Sequence, residues 1–507
     1  MATISVANSC QYLRYWAISN RSSDNIHRFF DSSPFSPSGR YVAHSEFPSS
    51  PNNINGHNSI NLEVVIRVYD LKYNISSFVD KSSVWGSQVG SHAQWGASDE
   101  YLIYNSLSKE HEFSSIKATG IVYNIFNSQR RILSCPVYHI SVDGRWGVSP
   151  NLSQIHHTQK GYGIDSESTR NILKLDLNPV TSLLDGIYVT DLQTGRCKQL
   201  VSLQLLVETA GLSMNSPTFG FHTKWSTDGT LILCVIRTLE HSVNGNRNDW
   251  SFGHLWNGIF KSKARVRVQH LFVIPANFSS SECSKSDRTN CHNRIRYLLS
   301  WASQPFSFQE GKSDSTLKVV RLLDGNHPNW VPGTHIVSMN LQSKSTALEN
   351  SNSGRKQWSV VVFDADSEID CKHVRCNRFL SCNRPNIMHL SEWFNNFKFN
   401  ITFEHFLPQL LSKVRGKIAS DSSCGTTAVE VFPLGTGHPN FFPGGRYLLL
   451  DAYAKEAEEV SQAARLSANL SSFSLLPDKL PLKLIDVLLQ KEVWLLQAAK
   501  LLIVYLT

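Results

Sequence analysis

The stretch Phe221-His222-Thr223-Lys224-Trp225-Ser226-Thr227-Asp228-Gly229-Thr230-Leu231-Ile232-Leu233 decides the fold. It places an aromatic lead-in, an Asp-Gly pair and a β-rich run in that order. Asp-Gly supplies the turn dihedrals of a hairpin, while the aromatic before it and the branched residues after it face a neighbouring sheet. The same phrase recurs at Phe35 to Ala43, Trp95 to Tyr104, Ile140 to Val148, Trp330 to Val337 and Phe441 to Leu450, with turn glycines at Gly39, Gly144, Gly333 and Gly445. Six copies mark an internal repeat, each copy being the innermost hairpin of one sheet. A second unit follows several of them, an apolar run that in most copies ends in Asp: Ile66 to Leu71, Ile187 to Leu192, His270 to Ile274 and Val360 to Asp364. These suit third strands, with Arg196 to Leu200 as an outer strand.

Such a series predicts an all-β chain, a β-propeller of six to seven four-stranded blades, of the seven-bladed type with an incomplete last blade. The expected organisation is one propeller domain over residues 1–507, with a polar insertion at 371–427 and a C-terminal segment at 470–507 as the truncated final blade. The spacing between turn glycines often exceeds the roughly 40 to 50 residues of a minimal blade. The excess falls at Pro51 to Ser59, Thr238 to Arg265, Ser279 to His292 and Cys371 to Thr427, and helical spacing is visible at Glu404 to Val414 and Lys455 to Ala468.

Composition sets the function classes. A hydrophobic share of 41% against 18% charged residues describes a globular chain with ample core. The net charge of +8 is spread thinly apart from Lys261, Lys263, Arg265 and Arg267, which argues against nucleic acid as a partner. The apolar tail from Leu484 to Leu506 is interrupted by Asp486, Lys491, Glu492 and Lys500, so no membrane span is expected. Met1 to Asn20 lacks a basic, apolar, small-residue layout. The expectation is therefore a soluble cytoplasmic protein whose ten cysteines are reduced thiols. Cys371, His373, Cys376 and Cys382 are crowded on one polar segment rather than set as two distant pairs, a poor match to zinc.

Three phrases carry a histidine before the turn: His222, His327 and His438, each followed three residues later by an aromatic residue. His92, ahead of Trp95, has the same layout. In a propeller the residues entering the innermost strands converge on one channel mouth, so these imidazoles are candidates for a shared site, as metal ligands or as bases titrating near neutrality. A blander role competes: a histidine there can hydrogen-bond a loop carbonyl and lock one blade to the next. His139, His156, His157 and His335 are less regular and fit a structural or exposed role better. The segment Ser149 to Ile164 contains His157, Lys160 and a Gly161-Tyr162-Gly163 turn, which suits a loop reaching over a pocket, with Lys160 facing an acidic substrate.

The stretches Trp85 to Gln88, Gly90, Gln94-Trp95, Tyr104-Asn105, Gln159 to Gly163, the three histidine phrases and Leu450 to Tyr453 resemble, in that order, the oligogalacturonate-lyase-like propellers and their branch related to the TolB-like propeller of the Tol system. The resemblance implies a seven-bladed, WD40-like ring and a polysaccharide lyase of the oligogalacturonate type. It further implies a divalent metal, manganese, on His222, His327 and His438, with His92 or His157 as base, Lys160 for the carboxylate and Tyr162 beside it. The implied partner is an acidic oligosaccharide, and the implied reaction is uronate β-elimination. The closely spaced Gln and His-x-His arrangement of the lyases is absent, since Leu434, Gly435, Thr436 and Gly437 precede His438. A non-catalytic scaffold for a protein or peptide ligand, or a degenerate inactive homologue, is the alternative.

Overall fold

The computed structural model describes residues 23–47, 63–109, 116–173, 183–209, 212–241, 265–276, 326–343, 357–365, 386–389, 407–408, 427–433, 437–451, 480–487 and 491–498. The chain is all-β: strands dominate the described residues, and the three α-helices among them have four to seven residues. It divides into two compact units, one built from residues 1–34, 69–76 and 322–507, the other from 35–68 and 77–321. The short strand β1 (Asp24–Ile26) belongs to the first of these.

The second unit is a succession of sheets. The first contains β2 (Tyr41–Phe47) and the greater parts of β3 (Val64–Asp70) and β4 (Ile75–Ser82). The next is β5 (Gln94–Trp95), β6 (Tyr101–Lys109), β7 (Ile116–Asn124) and β8 (Arg130–Ile132), in that order and antiparallel throughout. A third comprises β9 (His139–Ile140), β10 (Trp146–Pro150), β11 (Gly186–Asp191) and β12 (Cys197–Ser202), with α1 (Leu152–Ile155) and α2 (Glu167–Ile172) between β10 and β11 and α3 (Leu203–Thr209) after β12. In the fourth, β13 (Thr218–Trp225), β14 (Leu231–His241) and β15 (Arg265–Pro275) pair antiparallel; no fourth strand of this sheet is among the described residues.

Each sheet buries one face against its successor. Tyr41, Ala43, Ile66 and Val68 of the first meet Trp95, Leu102, Tyr104 and Ile121 of the second. Ile103 and Val122 then meet Val137, Ile140 and Leu192. Val148, Ile187 and Val189 meet Trp225, Ile232, Cys234 and Phe272, with Leu203, Leu206 and Val207 of α3 closing the same core. The alternation of inward residues along each strand is the period-two pattern that a half-buried sheet demands.

The other unit carries β16 (Asn326–Trp330), β17 (Ile336–Ser343), β18 (Gln357–Asp364), β19 (Asn386–His389) and β20 (Thr427–Pro433) in the order β16-β17-β18-β20-β19. Here the expected four strands are five, because β19 adds parallel to β20. Its last sheet is β21 (Pro439–Phe441), β22 (Tyr447–Asp451), β23 (Leu480–Asp486) and β24 (Lys491–Ala498), so the C-terminal segment supplies two outer strands.

All six phrases form hairpins closed by one recurring bond, from a backbone N–H to the carbonyl five residues on. The pairs are Ser36 to Tyr41, Gly96 to Tyr101, Ser141 to Trp146, Ser226 to Leu231, Val331 to Ile336 and Phe442 to Tyr447, at 2.8–3.0 Å. Glycine is required at Gly144 on two counts: its φ is +66°, and a Cβ would lie 2.4 Å from the Ala97 backbone nitrogen.

One expectation is corrected. Cys135 and Cys197 form a disulfide, so these two of the ten cysteines are not reduced thiols. Separate extended segments bring together residues 62 apart in sequence, a proximity that spacing alone does not reveal. No helix among the described residues is long and apolar enough to cross a membrane. The Cys371 to Cys382 cluster and the expected helix at 455–468 lie outside the described residues, as does all but 407–408 of the one expected at 404–414.

Candidate functional site

Three sheets are tied to the entrance of the next by the fifth residue of their second strand. In the second unit, Ser45 of β2 accepts from the Ser91 backbone N–H at 3.1 Å and meets the Ser91 hydroxyl at 3.2 Å. Asn105 of β6 donates to the Val137 carbonyl and accepts from the Val137 N–H, both at 2.8 Å. In the first unit Asn340 of β17 donates to the Gly437 carbonyl. Asn105 thus pairs with both polar groups of a single residue in the loop entering the next sheet. These ties fix the loops that end in His92, in Tyr138-His139 and in His438.

Three entrances of the second unit converge. The His92 ring lies edge-on to Tyr138 at 5.0 Å between centroids, and Tyr138 lies 5.5 Å from His222 with its hydroxyl hydrogen-bonded to Nδ1 of His222. Tyr162 packs edge-on to both Phe221 and His222 at 5.4 Å. A bulge between Gly220 and His222 breaks the β13 ladder at this point and re-aims the side chains there. Arg237 of β14 lies 3.2 Å above the Phe221 ring, gripped by Gln159 at 2.7 Å and by Gln269 at 3.0 and 3.1 Å. The result is a contiguous group of two imidazoles, two phenols and a guanidinium, drawn from the second, third and fourth sheets. Tyr138 is 0%, His222 4% and Arg237 2% exposed.

The loop over this group is held from below. The Gln88 N–H donates to the Gly161 carbonyl at 2.8 Å, and a Cβ on Gly86 would stand 2.4 Å from that same oxygen. Asp165 accepts from the backbone N–H groups of Gly161 at 2.9 Å and Ser87 at 2.8 Å, with His156 3.8 Å away. Burial works to raise the Asp165 carboxyl, but hydrogen bonds from His156, Gly161 and Ser87 outweigh it and hold the carboxyl at about 2. A depressed carboxyl stabilises the fold fully above its unfolded value of 3.8 and loses that contribution as pH falls through about 2. Asp165→Asn is therefore expected to cost about 2 kcal/mol at neutral pH, with the difference from the parent vanishing near pH 2. Urea unfolding across that range measures it; a gap that stays constant with pH contradicts the assignment.

Of the residues expected from sequence, His92, Tyr162 and His222 meet here. His157 sits on the same loop against Phe219 at 5.3 Å; burial first, then His156 and Arg170, pushes its imidazole down to about 4, leaving a neutral, weakly basic ring. Lys160 is exposed on that loop. Tyr138, Arg237 and Gln269 were missed. Tyr138 had a signal, since it stands directly before His139 in the third entrance phrase, whereas Arg237 and Gln269 lie in strands beyond the phrases.

His327 and His438 pair in the first unit, their centroids 4.2 Å apart, with Phe30 6.1 Å from His327 and 4.7 Å from His438, and Phe29 5.1 Å from His438. Nδ1 of His327 faces the Gly437 carbonyl at 2.9 Å, the loop-locking role. His139 has the same locking role, accepting from the Trp225 N–H at 3.2 Å. His222 belongs to the other unit, and among the described residues no group of three or more His, Cys, Asp or Glu is placed to hold a metal ion.

No family model and no curated protein matches the sequence. Among solved structures, the chain is similar to an oligogalacturonate lyase in complex with manganese (9% identity, 95% of this chain and 80% of that one, TM-score 0.40). It is likewise similar to the oligogalacturonate lyase of Vibrio parahaemolyticus (8%, 95% and 80%, TM-score 0.41). TolB of Acinetobacter baumannii is a more distant likeness (8%, 84% and 57%, TM-score 0.29). At such identities and scores, correspondence of individual site residues does not follow.

Proposed function

We propose that the chain is a carbohydrate-related propeller of six or seven blades that binds acidic oligosaccharide at the Tyr138–His222 centre and eliminates across a uronate. The observation that supports it is the contact of His92, Tyr138 and His222, which enter three consecutive sheets. Convergence of entrance residues is what a channel-mouth site requires.

The roles follow from chemistry. His222, oriented by the Tyr138 hydroxyl, takes the proton beside the uronate carboxylate. The electron pair left behind forms the new carbon–carbon double bond as the glycosidic oxygen departs with its own pair and is protonated. Arg237, stacked on Phe221, offsets the charge that develops on the carboxylate; in a dry site such a cation counts for far more than in water. Phe221 and Tyr162 give the sugar apolar faces. Lys160, outside on the loop, meets further carboxylates of the chain.

Incubation with oligogalacturonate is expected to raise ultraviolet absorbance as the unsaturated uronate forms. A flat trace, together with no heat of binding in calorimetry across several acidic oligosaccharides, overturns this reading in favour of a protein-binding scaffold.

A further inference from the structure

The site is buried, so a ligand reaches Tyr138 and His222 when the segment 149–165 opens. Besides the hydrogen bonds at Gly161 and Asp165, a covalent bond outside the site closes the stretch of chain that contains this segment. Cys135, between β8 and β9, and Cys197, the first residue of β12, have Cα atoms 5.8 Å apart and are joined across 62 residues. The loop so closed contains Tyr138, Gln159, Lys160 and Tyr162.

Backbone bonds on either side hold both sulfurs in register. Gly120 accepts from Leu133 and donates to Cys135, and Ser134 donates to the Gly195 carbonyl, all at 2.9 Å. The Arg131 guanidinium donates to the Gln193 carbonyl at 2.8 Å. The pair therefore clips the outer edge of the β5–β8 sheet to the outer strand of the β9–β12 sheet. Both cysteines are half-buried, within reach of a small thiol. Cys234 is fully buried and burial raises its thiol, so it does not compete by exchange.

We propose that Cys135–Cys197 is a reversible thiol–disulfide clasp that regulates opening of the 149–165 segment over the site; this rests on the reading of that segment as the site's cover. A dithiol reductant supplies two electrons and two protons, the S–S bond breaks into two thiols, and the reductant closes to its own disulfide. Without the cross-link the 62-residue loop gains conformational freedom in its open states, and those states become more populated.

The test uses the full chain, purified without reductant. Non-reducing digestion is expected to release a peptide pair joined through Cys135 and Cys197. Dithiothreitol is expected to speed amide hydrogen exchange over 149–165 by about tenfold or more, with the β13–β14 amides little changed and the effect reversed on reoxidation. Cys135→Ala with Cys197→Ala should reproduce it; if that variant fails to fold, reduction of the folded parent provides the same comparison. Recovery of both cysteines as alkylated thiols from unreduced protein, or exchange indifferent to dithiothreitol, overturns the clasp. Neither measurement involves a sugar. Failure of oligogalacturonate to protect the same amides counts against the proposed function and leaves the clasp standing.

Discussion

His222→Ala is expected to lower the rate of double-bond formation on oligogalacturonate by about 10² to 10⁴, the range for loss of a positioned general base. The loss should fall on kcat, because the ring acts on the proton in flight. Tyr138→Phe keeps the aromatic contacts with His92 and His222 and removes only the hydroxyl that meets Nδ1. It is expected to reduce the rate less and to shift the acid limb of the pH profile, a change that simple loss of packing does not produce. His222→Gln, which retains a polar group of similar reach, serves as the folding control. A His222→Ala protein with unaltered kcat and a normal melting curve removes His222 from the chemistry.

Asn105→Ala is expected to be the costliest single change to stability. Asn105 is 0% exposed and pairs with both the N–H and the C=O of Val137. Truncation strands two buried backbone groups at about 1–3 kcal/mol each, so a total of about 2–6 kcal/mol is expected. The same change detaches the loop that places Tyr138, and activity should fall together with melting temperature. Calorimetric unfolding of Asn105→Ala beside Asn105→Asp separates the two bonds, since the carboxylate can accept from Val137 but not donate to its carbonyl. A melting point indistinguishable from that of the parent refutes the tie.

The hairpins were legible because turn chemistry is local. Ser-x-Asp-Gly in two phrases and Pro-Ser-Gly, Pro-Gly or Pro-Gly-Gly in three others announce positive-φ turns at Gly39, Gly144, Gly229, Gly333 and Gly445, and all five glycines have positive φ. Third strands were legible for the same reason: an Asp such as Asp191 ends its strand by accepting from Gln193 at 2.8 Å and Thr194 at 3.2 Å. Partners in three dimensions were not. The Cys135–Cys197 pairing depends on which sheet edges adjoin, and the compartment argument pointed the other way. Arg237 faces Gln159 because α1 and its loop fold back toward β13, a contact that no spacing in the chain announces. Ser45, Asn105 and Asn340 share one offset into the second strand, a regularity present in the sequence and visible only once the entrance loops had been recognised as its targets.

That shared offset has a consequence for how such a molecule can change. In three sheets one side chain on an inner strand, a few residues from the turn, holds the loop that enters the next sheet, whereas the outer hairpins take no part in these three ties. Residues can accumulate at the periphery without disturbing the interior alignment, so the margin is free to diverge in length and character while the centre keeps its geometry.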